Sequence, residues 1–317
     1  MNRGHEDCSG CGICTMVCPV WWETGDVWMT PHGRARALQG GASVDELADS
    51  VMSCRMCGAC EPACPERIDI LAMVRGLREQ LYEKNHRPFA EPPAVLRATS
   101  GPARRLLLAG PDLEQRPAVL DSVIACLGGP DRIQLSSDDG RDLAWALESG
   151  APIDGDRVDR FLTAFGQTRE LVVIEGILHR LLRERCPRIR VRGLAETLLD
   201  QESVLSALGP KDFLVIDARA YHSDHARLVE LFARLRSRTG CQMNLDLQRF
   251  AIPTVADSLQ ARMQGHESCE TSIGWMLEGR DVDRIVVESA LDLDAVAAWT
   301  DVPVTHLSVL ASAAQDR

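Results

Sequence analysis

Two runs of cysteines constrain this chain more than any other feature in it. The first reads Cys8-Ser-Gly-Cys11-Gly-Ile-Cys14-Thr-Met-Val-Cys18-Pro19, and the second reads Cys54-Arg-Met-Cys57-Gly-Ala-Cys60-Glu-Pro-Ala-Cys64-Pro65. Each is C-x2-C-x2-C-x3-C-P. Three thiolates at that spacing wrap three corners of an iron–sulfur cube. The fourth is displaced by one extra residue and followed by proline, and it reaches the other cube. The spacing therefore assigns Cys8, Cys11, Cys14 and Cys64 to one [4Fe–4S] cluster, and Cys54, Cys57, Cys60 and Cys18 to a second. Two tetracysteine zinc sites are the competing arrangement. The proline that closes both runs favours the cubes.

The chain has 317 residues, which is room for two or three domains, and 45% of them are hydrophobic, enough for a substantial core. A net charge of −11 argues against nucleic acid or an anionic membrane surface as partner. Twelve cysteines in a short secreted chain would read as a disulfide framework. Here the chain is long, most of its cysteines fall in the two runs, and no signal peptide opens it, so a reducing, cytoplasmic setting is expected. No stretch approaches the roughly 18 apolar residues of a membrane span. Contact with the inner face of a membrane would have to come through a partner.

Residues 1–90 read as a small all-helical domain. Ser43-Val-Asp-Glu46 is a capping-box pattern, and Val44, Leu47, Ala48, Val51 and Met52 follow at helical spacing towards Cys54. Ile70, Met73, Val74, Leu77 and Leu81 mark one face of a second helix after the last cysteine. Trp21, Trp22 and Trp28 follow the first run, and core packing is expected for at least two of them. Arg34 and Arg36 either offset negative charge on the clusters and raise their potentials or belong to a solvated basic loop.

The first 75 residues resemble the helical ferredoxin domain found in the iron–sulfur subunits of glycolate oxidase and of anaerobic glycerol-3-phosphate dehydrogenase, and in the ferredoxin-like subunit of heterodisulfide reductase. The doubled cysteine runs, both prolines and a Gly33-Arg34 pair carry the likeness. Pro31-His32-Gly33-Arg34 stands where those relatives often have Pro-Arg-Gly-Arg, and His32 is the departure.

Residues 91–104 have linker composition. From Arg105 onward short apolar strands alternate with helices. Strands are expected at 106–109, 133–135, 171–174 and 189–191, and helices at 118–127, 157–165 and 177–185. The pattern then repeats, since Leu171-Val-Val-Ile-Glu175-Gly-Ile-Leu178 corresponds to Arg284-Ile-Val-Val-Glu288-Ser-Ala-Leu291, and Arg105-Leu-Leu-Leu-Ala109 to Asp212-Phe-Leu-Val-Ile216. Two α/β modules follow, at 105–205 and 206–317, each about 100 residues long. The expected fold class is thus α+β and multidomain: a helical domain with two cubanes, then two tandem α/β modules.

This layout resembles the paired CCG domains that continue the glycolate-oxidase and glycerol-phosphate relatives, and that hold the catalytic clusters of heterodisulfide reductase. The likeness implies cluster-binding Cys-Cys-Gly and Cys-x-x-Cys elements at strand ends. Here Asp138-Asp139-Gly140, Glu175-Gly-Ile-Leu178 and Glu288-Ser-Ala-Leu291 stand in their places without the cysteines, so both modules read as degenerate. Tyr221-His222-Ser223-Asp224-His225 resembles a Tyr-His-Asp-Pro-Cys segment, again without its cysteine. Cys126, Cys186, Cys241 and Cys269 form no close pair and read as small buried residues. Glu175 and Glu288 read as charges at helix N-termini, and His222 and His225 as solvated or capping residues.

No phosphate-binding glycine loop or nucleophile elbow is present, so no flavin or nicotinamide site is expected. Two cubanes with no substrate chemistry beside them describe an electron-transfer subunit of a larger oxidoreductase. The resemblance implies a flavoprotein or a heterodisulfide-reductase-like assembly as partner. A heterodisulfide-reductase-like catalytic subunit and a redox-sensing scaffold are the alternatives.

Overall fold

The computed structural model describes residues 3–84, 96–97, 103–246, 248–254 and 274–313. The N-terminal part is built from short helices: α1 (Ile13–Met16), α2 (Pro19–Thr24), α3 (Pro31–Gln39), α4 (Ala48–Ser53), α5 (Cys60–Ala63) and α6 (Ile70–Glu83). Pro19 and Pro31 open α2 and α3 at positions where a missing N–H costs nothing. Thr30 caps α3 by accepting the Gly33 N–H at 3.2 Å. Gly33 is required by a close approach: a Cβ there would lie 2.1 Å from the Val27 carbonyl oxygen. Ser43 and Glu46 do bond each other's backbone N–H groups, at 2.8 and 3.4 Å. That box closes a turn, and α4 itself begins only at Ala48. Val44, Leu47 and Val51 pack against Leu77 and Leu81 of α6 in a small core.

The rest of the described chain forms two four-stranded sheets. β1 (Arg105–Leu108), β2 (Gln134–Leu135), β3 (Glu170–Val173) and β4 (Arg190–Gly193) form the first, in the order β2-β1-β3-β4. β5 (Asp212–Val215), β6 (Gln242–Met243), β7 (Arg284–Val287) and β8 (Val304–His306) form the second, in the order β6-β5-β7-β8. All pairs are parallel, and the shared order makes the repeat visible in three dimensions. Leu106–Leu108, Leu171–Val173, Phe213–Val215 and Ile285–Val287 are buried throughout, as parallel strands covered on both faces must be.

Four expected strands appear with ends shifted by no more than two residues, within ordinary boundary scatter. The helices expected in this part appear as α7 (Pro117–Cys126), α9 (Gly155–Thr163) and α10 (Gly176–Arg185). A further helix, α8 (Arg141–Ser149), lies between the first two and is not among those the sequence announces. It starts from Gly140 in the left-handed conformation, with no side-chain cap to mark it. Most of the expected linker at 91–104 and all of the segment around Cys269 lie outside the described residues. Leu96 forms an antiparallel bridge to Asp138, and the Arg97 N–H donates to the Ser137 carbonyl at 2.7 Å, so these two residues join the first sheet's half.

The two halves meet at the carboxyl ends of their strands. Gly176 at the start of α10 abuts Asp217 and Arg219, and a Cβ there would sit 2.3 Å from Asp217 Oδ1. Glu288, just past β7, accepts from the Ala195 N–H at 2.7 Å through Oε1 and from the Asp217 N–H at 2.8 Å through Oε2. Ala195 lies in the first turn of α11 (Leu194–Leu198) in the first half, so one carboxylate ties the two halves together.

Buried histidines, among them His179 and His306, give the fold a pH dependence. Burial pushes the imidazole of His179 down to about 4, and that of His306 likewise to about 4. His306 Nδ1 accepts the Ser308 N–H at 3.2 Å, while Nε2 lies 2.8 Å from the Glu288 carbonyl oxygen, which fixes a neutral ring. The unfolded chain protonates these groups first, so their contribution is complete above the ordinary value of 6.5 and is lost as pH falls through 4. Urea midpoints should therefore fall between pH 7 and pH 5. His306→Gln should remove up to about 1.4 kcal/mol per pH unit from that slope, and an unchanged slope would contradict the assignment.

Candidate iron–sulfur centre

The structure gathers the thiols by crossing the two runs. One cavity is lined by Cys8, Cys11, Cys14 and Cys64, with Ile68, Ile70 and Met73 among its apolar walls. Gly10 and Gly12 take left-handed conformations that turn the first loop around this cavity. Cys14 lies in α1. Cys64 closes α5, which packs against α1, and this contact brings the last cysteine of the second run to the first three of the other. Burial above all, then the neighbouring Cys64, Cys8, Cys11 and Cys18, pushes the Cys14 thiol up to about 12. Four thiolates at such a place repel one another and need a cationic centre among them.

The other four cysteines form a deeper set. Cys18, Cys57 and Cys60 are buried and Cys54 half-buried, whereas Cys11 of the first set is exposed. Burial, followed by Cys57, Glu61, Cys54 and Cys18, raises the Cys60 thiol well above its usual value. Cys18 is also raised by burial, but the nearby guanidinium of Arg34 opposes the shift. Arg34 is fully buried. Its Nε donates to Ser50 O at 2.8 Å and Oγ at 3.0 Å, its Nη2 donates to Met29 O at 2.6 Å, and its Nη1 has no hydrogen-bond partner. Arg36, by contrast, is exposed and bonds Gln39, whose amide holds the Cys8 carbonyl at 3.0 Å. The two arginines thus divide, Arg34 at the deep set and Arg36 over the outer loop.

The α/β halves hold the second cysteine run by its backbone. Arg78 of α6 is fully buried and donates to the carbonyls of Val51, Met52 and Cys54, and across to Glu148 in α8. Arg219, in α12 (Ala218–Ser223), donates to the Arg55 carbonyl at 2.8 Å and pairs with Glu148 at 3.0 Å. His222 Nδ1 lies 2.8 Å from the Cys57 carbonyl oxygen, while its Nε2 accepts the Ala251 N–H at 3.1 Å. Arg180 pairs with Glu61 at 2.6 Å. Both nitrogens of His222 are thus spent on backbone, and burial pushes its imidazole down to about 3. It is a buried strut rather than a solvated residue. His225 is half-buried and stacks on Phe250 at 5.1 Å.

The other singled-out residues also find places. Glu175 faces Arg219 at 3.5 Å, and Glu288 meets the N-terminus of α11, a helix-dipole role exercised across the two halves. Asp138 is paired bidentately with Arg157 at 2.8 and 2.9 Å. Cys241 is fully buried, Cys186 is buried, and Cys126 is half-buried with its thiol 3.2 Å from the Ser308 carbonyl oxygen. None of the three tryptophans near the first run is a fully buried core residue. Trp21 and Trp22 are half-buried, and Trp28 is 41% exposed. Trp22 reaches the second half, where its ring lies 5.2 Å from that of Trp275. The strand ends of both halves also line a cavity of about 390 Å3, which includes Glu175, Glu288 and Asp217 but no cysteine.

The donor set fits a cluster. Cys8, Cys11, Cys14 and Cys64 supply around one apolar-walled cavity the four thiolates that a cubane takes. Residues 4–68 match the family model of a 4Fe-4S dicluster domain, so this stretch is an iron–sulfur domain of the ferredoxin type. No curated protein and no solved structure matches the chain. Among the described residues no helix is long and apolar enough to cross a membrane.

Arg78→Met should expose the dependence of the second run on its carbonyl partners. Carbonyls bonded by a buried guanidinium would be left unpaired, a loss of about 3 kcal/mol. Urea unfolding of the variant against the parent measures it, and a change below about 0.5 kcal/mol would show that the bonds do not matter.

Proposed function

We propose that this chain is the iron–sulfur electron-transfer subunit of a larger oxidoreductase, holding two [4Fe–4S] clusters in crossed ligation. The observation that carries the reading is the grouping of Cys64 with Cys8, Cys11 and Cys14 around one cavity. With it goes the mutual influence of Cys60, Cys57, Cys54 and Cys18. Cys8, Cys11, Cys14 and Cys64 would hold the outer cluster, and Cys54, Cys57, Cys60 and Cys18 the inner one. Each cubane supplies reversible one-electron storage, at a potential its surroundings set between roughly −700 and +450 mV.

The chain's own residues give the two positions different tasks. Cys11 brings the outer position to the surface, where a partner can approach. The inner position is sealed by Cys18, Cys57, Cys60 and the carbonyl bonds around them. Arg34 places an uncompensated cation there, which favours the more negative, reduced state. Electrons would therefore run from the outer position to the inner one. The likeness of the cysteine runs to flavoprotein-linked and heterodisulfide-reductase-linked subunits makes such a flavoprotein or assembly the expected partner.

Ligand partition is tested by electron paramagnetic resonance of the reduced protein. Cys18→Ser should abolish or alter the signal of the inner cluster, and Cys64→Ser that of the outer one. Each variant disturbing only the cluster of its own run would refute crossed ligation. Turnover of glycolate, lactate or glycerol phosphate by the chain alone would refute the electron-transfer reading itself.

Arg34→Met tests the proposed gradient. Redox titration followed by the same resonance should show one of the two potentials lowered, on the order of 50 mV for a loss of about one tenfold step, and the other unmoved. Equal shifts in both, or none, would remove Arg34 from this role.

A further inference from the structure

The parallel register of the first sheet brings arginines together at the amino ends of three adjacent strands. Arg104 and Arg105 enter β1, Arg169 enters β3, and Arg188 and Arg190 enter β4. The Arg169 N–H donates to the Arg104 carbonyl at 2.9 Å and the Arg190 N–H to the Arg169 carbonyl at 2.9 Å, so the three positions are locked side by side. Together with Glu170, Pro187 and Ile189 they line a shallow groove of about 580 Å3. Arg105 pairs with Glu170 at 3.0 Å. Arg104, Arg169, Arg188 and Arg190 are exposed, and among the described residues their side chains make no ion pair or hydrogen bond. Four unpaired cations sit here on a chain whose net charge is −11.

The repeat supplies an internal control. At the same end of the second sheet, Lys211 pairs with Asp281, Arg284 pairs with Asp212 at 2.8 Å, and Asp283 and Asp301 add further negative charge. The shared topology therefore does not demand a basic rim. Protection of an exposed sheet edge does not explain it either. Of the three strands that carry the arginines only β4 lies at an edge, whereas Arg104 and Arg169 precede the two interior strands. The groove continues past Arg190 to Arg183, Arg192 and Arg227, but there each arginine already faces Asp224 or Glu196 at 2.6 to 2.9 Å.

We infer that the rim formed by Arg104, Arg169, Arg188 and Arg190 is a docking surface for an acidic protein segment, whose carboxylates pair with the guanidinium groups. Small ligands of open α/β sheets bind at the carboxyl ends of the strands, in concave sites that enclose them, and this groove is shallow and at the opposite end. Strands stand about 4.8 Å apart, so three of them span roughly 10 Å. That matches a few residues of a peptide, whereas a nucleic acid strand would run on past Arg190 to arginines whose charge is already paired with carboxylates. The apolar Pro187 and Ile189 between the cations suit a polypeptide as well. The inference does not rest on the redox reading, because no cysteine lines the groove.

The test is fluorescence anisotropy of the full chain with a labelled peptide of about ten glutamates, at low and high salt. Binding should weaken as salt rises. The triple variant Arg169→Ser, Arg188→Ser, Arg190→Ser should weaken it at least about tenfold, the sum of three modest charge-assisted pairs. The same charge change on α13 (His225–Thr239), made as Arg234→Ser, Arg236→Ser, Arg238→Ser, should leave it within about twofold. Arg169→Glu gives a second variant at one exposed position, and circular dichroism checks that both variants fold. No peptide binding, equal loss in the control, or tighter binding of a single-stranded oligonucleotide of matching charge would each overturn the proposal.

Discussion

Side-chain donors on backbone carbonyls hold the second cysteine run, and much of the molecule is arranged to supply them. Beyond Ser53 the chain leaves its helix to spread Cys54, Cys57 and Cys60 around one spot, so carbonyls from Val51 to Cys57 lose their regular partners. Arg78, Arg219 and His222 provide replacements from α6 and α12. Burying a guanidinium costs several kcal/mol unless its donors are met. Arg78 meets that condition with four carbonyls, and Arg219 with a carbonyl and Glu148. The loop and the arginines satisfy each other, and neither is stable in that form without the other.

The two α/β halves show how a repeated frame diverges once its ends are reassigned. Both keep the same strand order and the same apolar strand centres. At their carboxyl ends they carry carboxylates, and these act in pairs across the boundary: Glu288 on backbone N–H groups of both halves, Glu148 and Glu175 on Arg219. At their amino ends the charges differ in sign. Selection on such a frame can act at either end separately, because the strand centres carry no charge at all.

What the sequence reveals follows from how local each constraint is. The cysteine spacing and its prolines are legible because cluster geometry dictates distances along the chain. Strands such as Leu171–Val173 are legible because burial on both faces leaves an unbroken apolar run. The apolar face of α6 is readable from Val74, Leu77 and Leu81, yet Arg78 on the same helix is equally buried, and its partners lie 24 to 70 residues away in sequence. The spacing of His222 and His225 resembles a metal pair, but the carbonyl that engages His222 is 165 residues distant. Helix α8 is hidden because its start is a glycine turn instead of a capping side chain. The charge at the rim of the first sheet is written in the sequence, but only the register shows that its arginines are neighbours.

The bond between His222 and the Cys57 carbonyl also has a bearing on time. A ribosome adding about 5–20 residues per second completes the cysteine runs well before it reaches the histidine 165 positions later. During that interval the loop that presents Cys57 lacks its strut and its Arg219 contact. The nascent chain therefore carries its full complement of these thiols, and the Arg78 contacts, before the struts from α12 can form. Any iron captured in that interval meets a loop still free to rearrange, and the arrival of α12 is the event that closes it.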